Sequence, residues 1–152
     1  MLKKIVVGID FSTHSDRAIR AALDLAVPAG ATVVLVNVVP ALVEQGRAAV
    51  HSRDDSAHGD STTPTLEQTL KAKAEDLRDR NPGALVDYGV VVGNDAADEI
   101  VKYVKTWGGD LIVVGSAGRR GLDRILAGSV TAEIVQSSPV PVLIAGPSAK
   151  KG

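Results

Sequence analysis

The 152-residue chain predicts an α/β fold: one open parallel sheet of five strands with helices on both faces. Three observations carry this. Short apolar runs alternate along the chain with segments whose apolar residues recur at i, i+3 and i+4. The runs are continuously apolar rather than alternating, as strands covered on both faces must be. Hydrophobic residues make up 45% of the chain and aromatics only 3%, so the core has to be built from Val, Ile, Leu and Ala.

Strand one is Ile5 to Ile9, ending at Asp10. Ser12 or Thr13 can cap a helix whose stripe is Ala18, Ile19, Ala22, Leu23 and Ala26, with Pro28 and Gly30 ending it. Strand two is Thr32 to Val39, apolar throughout except for Asn37. Periodicity is lost over 40–63, where the polar stretch 51–60 reads as a long mobile loop. Thr63-Pro64 reads as cap and first position of a helix reaching Arg80, with Leu66, Leu70, Ala74 and Leu77 inward. Leu85 to Val92 is strand three. Asn94 is the expected cap of a helix that buries Ala97, Ile100, Val101 and Val104 and closes at Gly108-Gly109. Leu111 to Val114 is strand four, Ser129 to Ser137 the last helix, and Val140 to Ala145 strand five. A single domain over 1–147 with a tail at 148–152 is expected, without an internal repeat.

The bulk numbers also exclude. A net charge of −1 provides no electrostatic pull toward nucleic acid or an anionic membrane. The chain contains no cysteine, so thiolate chemistry and disulfides are out and a cytoplasmic location is expected. The apolar run after Met1-Leu2-Lys3-Lys4 is too short for a signal peptide or a membrane span.

The most informative feature is Gly115-Ser116-Ala117-Gly118 followed, after nine residues, by Gly128-Ser129-Val130. Glycines just past a buried strand let backbone approach a ligand closely. A Gly-Ser pair that opens a helix offers free N–H groups and a hydroxyl to an anion. Together they read as a phosphate cradle, to which Arg119, Arg120 and Arg124 can add charge. One helix N-terminus contributes only about 0.3–1 kcal/mol toward an anion, so several N–H groups must act together. A tight strand-to-helix turn is the plainer account of any single glycine. In an open parallel sheet the ligand sits beyond the carboxyl ends of the strands, where strand order reverses. If strands one and four are neighbours there, Asp10 and Gly115 face each other.

With these residues in view, the chain resembles the universal stress protein family in its ATP-binding branch. The resemblance runs along nearly the whole length: Val6-Val7-Gly8-Ile9-Asp10-Phe11-Ser12, the spaced glycine loop, and Ser137-Ser138-Pro139-Val140-Pro141-Val142-Leu143-Ile144. It implies a Rossmann-like sheet in the order 3-2-1-4-5 with an adenine nucleotide (ATP, ADP or AMP) at strands one and four. By position, Ile9 and Asp10 would border adenine and ribose, and Val38 would contact the base. Val114, Gly115, Ser116, Gly118, Arg119 and Arg120, with Gly128, Ser129 and Val130, would hold ribose and phosphates. Ala117 departs from the His or Arg frequent there in relatives, which removes a polar contact and keeps the backbone path.

Asp10 has a plainer role too, since an Asp at a strand end often caps the next turn. As a ligand it can bond a ribose hydroxyl or help hold Mg²⁺, which prefers a carboxylate plus phosphate oxygens. Other chemistries are absent. There is no G-x-x-x-x-G-K-[ST] and no G-x-G-x-x-G after a strand, and Ser116 is not in a G-x-S-x-G elbow. His51, His58, Asp54, Asp55 and Asp60 fit no metal template and read as a solvated loop; His14 reads as surface. Pro141 cannot donate to a ladder and marks strand five as an edge, to be covered by a second copy pairing through Val140 to Ala145 as a homodimer, which the family resemblance also implies, or by a loop or the C-terminal tail. The expected function is an ATP-holding regulatory module of the stress response, with a regulatory protein as partner. A slow, autophosphorylating ATPase is the enzyme alternative, for which no base or activated nucleophile is visible. An AMP- or cAMP-binding protein, or an interaction protein with an empty site, is the third.

Overall fold

The computed structural model describes residues 1–41, 65–116 and 129–146. The long loop expected over 40–63 and the tail at 148–152 fall almost wholly outside them. The elements follow the chain as β1 Lys4–Gly8, α1 Thr13–Ala29, β2 Thr32–Val39, α2 Leu66–Arg80, β3 Leu85–Val92, α3 Ala96–Trp107, β4 Leu111–Gly115, α4 Ser129–Ser137 and β5 Val142–Ala145. All strand pairs are parallel and the order is β3-β2-β1-β4-β5, the order implied by the family resemblance.

Alternate residues of the central strands supply two cores. Ile5, Val7, Val33 and Leu35 pack against α1 and α2, through Ala18, Ile19, Ala22, Leu70 and Ala74. Val6, Val34, Val36, Ile112 and Val114 pack on the other face, against Ala97, Ile100 and Val104 of α3 and Ile134 of α4. Helices therefore cover both faces. The inward stripes expected of α1 and α3 are buried in full; in α2 only Leu70 and Ala74 are, while Leu66 and Leu77 stay partly exposed. Asp110 pins the amino end of the sheet: its Oδ2 accepts the Lys3 and Lys4 N–H groups at 2.9 and 3.0 Å, joining β1 to the start of β4.

Several boundaries differ from expectation, each for a local reason. Pro28 lies inside the last turn of α1, and the helix is closed by Gly30 at φ 67°. The Thr63-Pro64 start of α2 lies outside the described residues. The cap is Thr65, in a reciprocal box with Gln68: the Thr65 hydroxyl accepts from the Gln68 N–H and the Gln68 side chain accepts from the Thr65 N–H. Asp95, not Asn94, caps α3, accepting from the Asp98 N–H at 3.1 Å. Asn94 instead accepts the N–H of Ala41 at 3.2 Å, tethering the chain where it leaves β2. β5 begins at Val142, not Val140, because Ser138 forms a closed turn with Val140 just before it. The carbonyl of Pro141 still accepts from Ile112, so the proline joins the β4 ladder by its only available group. Among the described residues no helix is long and apolar enough to cross a membrane.

Candidate functional site

β1 is the shortest-reaching central strand at the carboxyl edge, and its departure opens a crevice between β2 and β4. Its register with β2 stops at Gly8↔Val36, one hydrogen bond from Ile9 N to Val36 O follows, and the chain turns away. Its register with β4 stops earlier, at Val7↔Val113. β2 runs on to Val39 and β4 to Gly115, so both outlast the strand between them. This is the point where strand order reverses, the position at which open α/β sheets bind ligands.

The crevice walls follow from backbone alternation. In a strand, successive residues aim their N–H and C=O toward opposite neighbours. Val36 gives its carbonyl to β1, and Val39 gives its carbonyl to Gly93 beyond β3, so Val38 faces the β1 side. No described residue pairs with the Val38 peptide there. On the other wall, Ser116 N donates to Ala145 O of β5, so Gly115 faces the β1 side. The peptides of Val38 and Gly115 thus look into the gap from opposite sides, above Gly8, Ile9 and Asp10.

Asp10 is tied into the start of α1. Its Oδ1 accepts the Ser12 N–H at 2.9 Å and the Ser15 hydroxyl at 2.6 Å, while Ser15 Oγ accepts the Asp10 N–H at 2.8 Å. Ser15 is buried, and Ser12 caps α1. Oδ2 takes no hydrogen bond from a described residue. Burial pushes the Asp10 pKa up, but the bonds from Ser12 and Ser15 more than offset it and hold the carboxyl below its ordinary 3.8. The capping role is therefore real, and it engages one of the two carboxylate oxygens. Phe11, next in the turn, is in the left-handed region at φ 64°, a conformation that costs an L-residue about 1–2 kcal/mol.

Gly115 is a glycine for a reason the sequence alone did not indicate. A Cβ built there would lie 2.6 Å from the backbone oxygen of His14 and 2.8 Å from its Cβ. The first turn of α1 therefore presses on the end of β4, and the absent side chain serves helix–strand contact. His14, expected at the surface, is half-buried, and its Nδ1 is enclosed without a hydrogen-bond partner among the described residues.

The structure brings Asp10, Val38, Val114, Gly115 and Ser116 together around one gap. Ile9 lies there too, but its side chain is turned into the core and its N–H and C=O are both engaged. Gly118, Arg119, Arg120 and Gly128 lie outside the described residues, as do Ala117 and Arg124. Ser129 and Val130 open α4, whose N-terminus lies at the carboxyl edge because α4 leads into the parallel strand β5; Val130 is exposed. Among the described residues no cluster of three acidic or imidazole groups could hold a metal. Among the described residues Asp10 Oδ2 is the carboxylate oxygen that a Mg²⁺ carried by phosphate oxygens would meet. One residue escaped the sequence reading. Asn37, buried in β2, donates from Nδ2 to the Ile9 carbonyl at 2.9 Å, and its only signal was the interruption of an apolar run.

A family model for the universal stress protein family matches residues 1–146. Universal stress protein YxiE of Bacillus subtilis is 30% identical over 154 residues, covering 95% of this chain and 99% of that protein. Universal stress protein MJ0577 of Methanocaldococcus jannaschii is 28% identical, covering 95% and 94%. The solved structure of MJ0577 superposes with a TM-score of 0.72 over 98% of this chain and 99% of its own. A universal stress protein solved in complex with cAMP is 25% identical, with a TM-score of 0.65 over 94% and 95%. A family-model match over nearly the full length, with the same fold in the solved relatives, leads to one conclusion: the chain belongs to the universal stress protein family.

Proposed function

We propose that the chain binds an adenine nucleotide, ATP foremost, in the crevice between β2 and β4, and acts as a regulatory module of the stress response. The observation that carries this is the pair of strand-end peptides, Val38 and Gly115, which have no strand partner among the described residues on either side of Asp10. Adenine presents an amino donor beside a ring-nitrogen acceptor, which complement a peptide C=O and N–H. Asp10 Oδ2 is the acceptor for a ribose hydroxyl. Phosphates extend toward the loop opened by Gly115 and Ser116, where Gly118, Arg119, Arg120 and Gly128 would supply N–H groups and charge, and toward Ser129 and Val130 at the start of α4. Likeness to a family member solved with cAMP supports an adenine ligand.

The test is direct. Purified protein is denatured and any released nucleotide identified by mass spectrometry, and the emptied protein is titrated with Mg²⁺-ATP by calorimetry. Recovered adenine nucleotide or saturable heat is the expected result; neither would sink the proposal. The same cAMP-bound relative favours a second reading, in which the cyclic nucleotide is the ligand. Competition between cAMP and ATP on one sample decides between them. Phosphate release, measured alongside on Gly118→Val, separates holding ATP from hydrolysing it: turnover lost with the loop variant belongs to this site.

The open edge of β5 supports a homodimer. Pro141 and Ala145 give their carbonyls to β4, so Val142 and Ile144 aim their N–H groups outward, ready to pair with a second copy.

A further inference from the structure

We propose that Asn37 is a positioning residue that holds the Val38 peptide open for the ligand by occupying the carbonyl that would otherwise close it. This deepens the nucleotide reading of the crevice and rests on it for the identity of the ligand.

The starting point is a conflict. Eight residues of β2 are sandwiched between two strands and two helix layers, where β-branched apolar side chains fit best; five are valines, Leu35 is apolar, and Thr32 stands at the strand's entry. Asn37 is the exception and is 9% exposed. A buried carboxamide is costly unless it is hydrogen-bonded, and its amide N–H finds the Ile9 carbonyl at 2.9 Å. That carbonyl is not one that needed rescue. Ile9 N already bonds to Val36 O, so continuing the ladder by one step would bring Val38 N–H onto Ile9 O. The register stops at Gly8↔Val36, and the side chain of the residue between Val36 and Val38 holds the position instead. A side chain has replaced a backbone donor, and the backbone donor is left facing the gap.

The chemistry favours a role over an accident. A valine at 37 would complete the apolar run and satisfy Ile9 through Val38, at no loss of hydrogen bonds. The sequence instead breaks a local rule at the edge of the candidate site, where such departures concentrate.

The experiment uses the full chain and its Asn37→Val variant, read by amide hydrogen exchange without nucleotide and then by ATP titration. In the parent, the Val38 amide is expected to exchange fast beside a protected Val36 amide. In Asn37→Val it is expected to slow by at least about a hundredfold as it pairs with Ile9, with thermal stability kept or raised. ATP affinity is expected to fall about tenfold or more. A Val38 amide already protected in the parent, or still fast in the variant, overturns the proposal. If exchange changes as expected while the parent binds no nucleotide, the positioning role stands and the nucleotide reading fails. Should Asn37→Val not fold, Asn37→Ala removes the same amide without added volume, and the same comparison at Val38 decides.

Discussion

Asp10 serves the fold through one carboxylate oxygen and leaves the other unengaged by the described residues. Oδ1 is committed to Ser12 and Ser15, and Oδ2 is not. Its lowered pKa means that its stabilising contribution is complete above the unfolded value near 3.8 and is lost as pH falls through the folded one. Asp10→Asn is therefore expected to lower the melting temperature at neutral pH and to converge with the parent in acid, as melts across a pH series will record. Gly115→Ala forces a methyl into the His14 backbone and is expected to cost about 1–3 kcal/mol in urea unfolding. Gly115 stood out in the sequence by its neighbours, and the reason that emerged is different. A glycine pattern cannot distinguish approach to a ligand from approach of a helix, since both need the same missing atom. Asn37 was visible only as a break in an apolar run, because what it does depends on where β1 leaves the sheet.

At the scale of elements, periodicity found the five strands and the buried stripes of α1 and α3, and half the stripe of α2, while the ends depended on individual hydrogen bonds. Thr65-Leu66-Glu67-Gln68 carries a capping-box signature, yet Thr63-Pro64 competed with it two residues upstream. Asn94 and Asp95 are adjacent and equally able to cap, and the choice fell to Asp95 because Asn94 is engaged by Ala41. Thr65→Ala removes the cap of α2 and is expected to destabilise the chain by about 1 kcal/mol, measured by denaturant unfolding. Val38 and Gly115 were named in the sequence through the family resemblance, and the geometry that turns their peptides into the crevice was not. Alternation says that every other residue faces a given neighbour, and only the register says that Val38 and Gly115 outlast theirs.

For the whole molecule, alternation of strands and helices implied a parallel sheet covered on both faces, but several strand orders satisfy it. The order 3-2-1-4-5 entered through the family resemblance, carried by the glycine loop and the first and last strands. It makes β5 an edge, and the proposed homodimer has a clean test there. Ile144→Pro deletes an outward N–H while Leu143 and Ala145 keep the β4 side. The expected outcome is a halved mass in light scattering with the circular dichroism of the sheet retained; an unchanged dimer would place the interface elsewhere.

The strand order also makes the two edges of β1 unequal in sequence separation. β1 meets β2 across one short crossover, but its other edge must wait for β4, with Ile5 pairing to Leu111. β1 and β2 can pair across the short α1 crossover, whereas the β1–β4 contact spans most of the chain and carries the larger loop-closure cost. Until β4 docks, the apolar flank of Ile5, Val6 and Val7 is open to any passing strand. Refolding is therefore expected to slow most when β4 is weakened, and a chain stalled before that step is the form most exposed to aggregation.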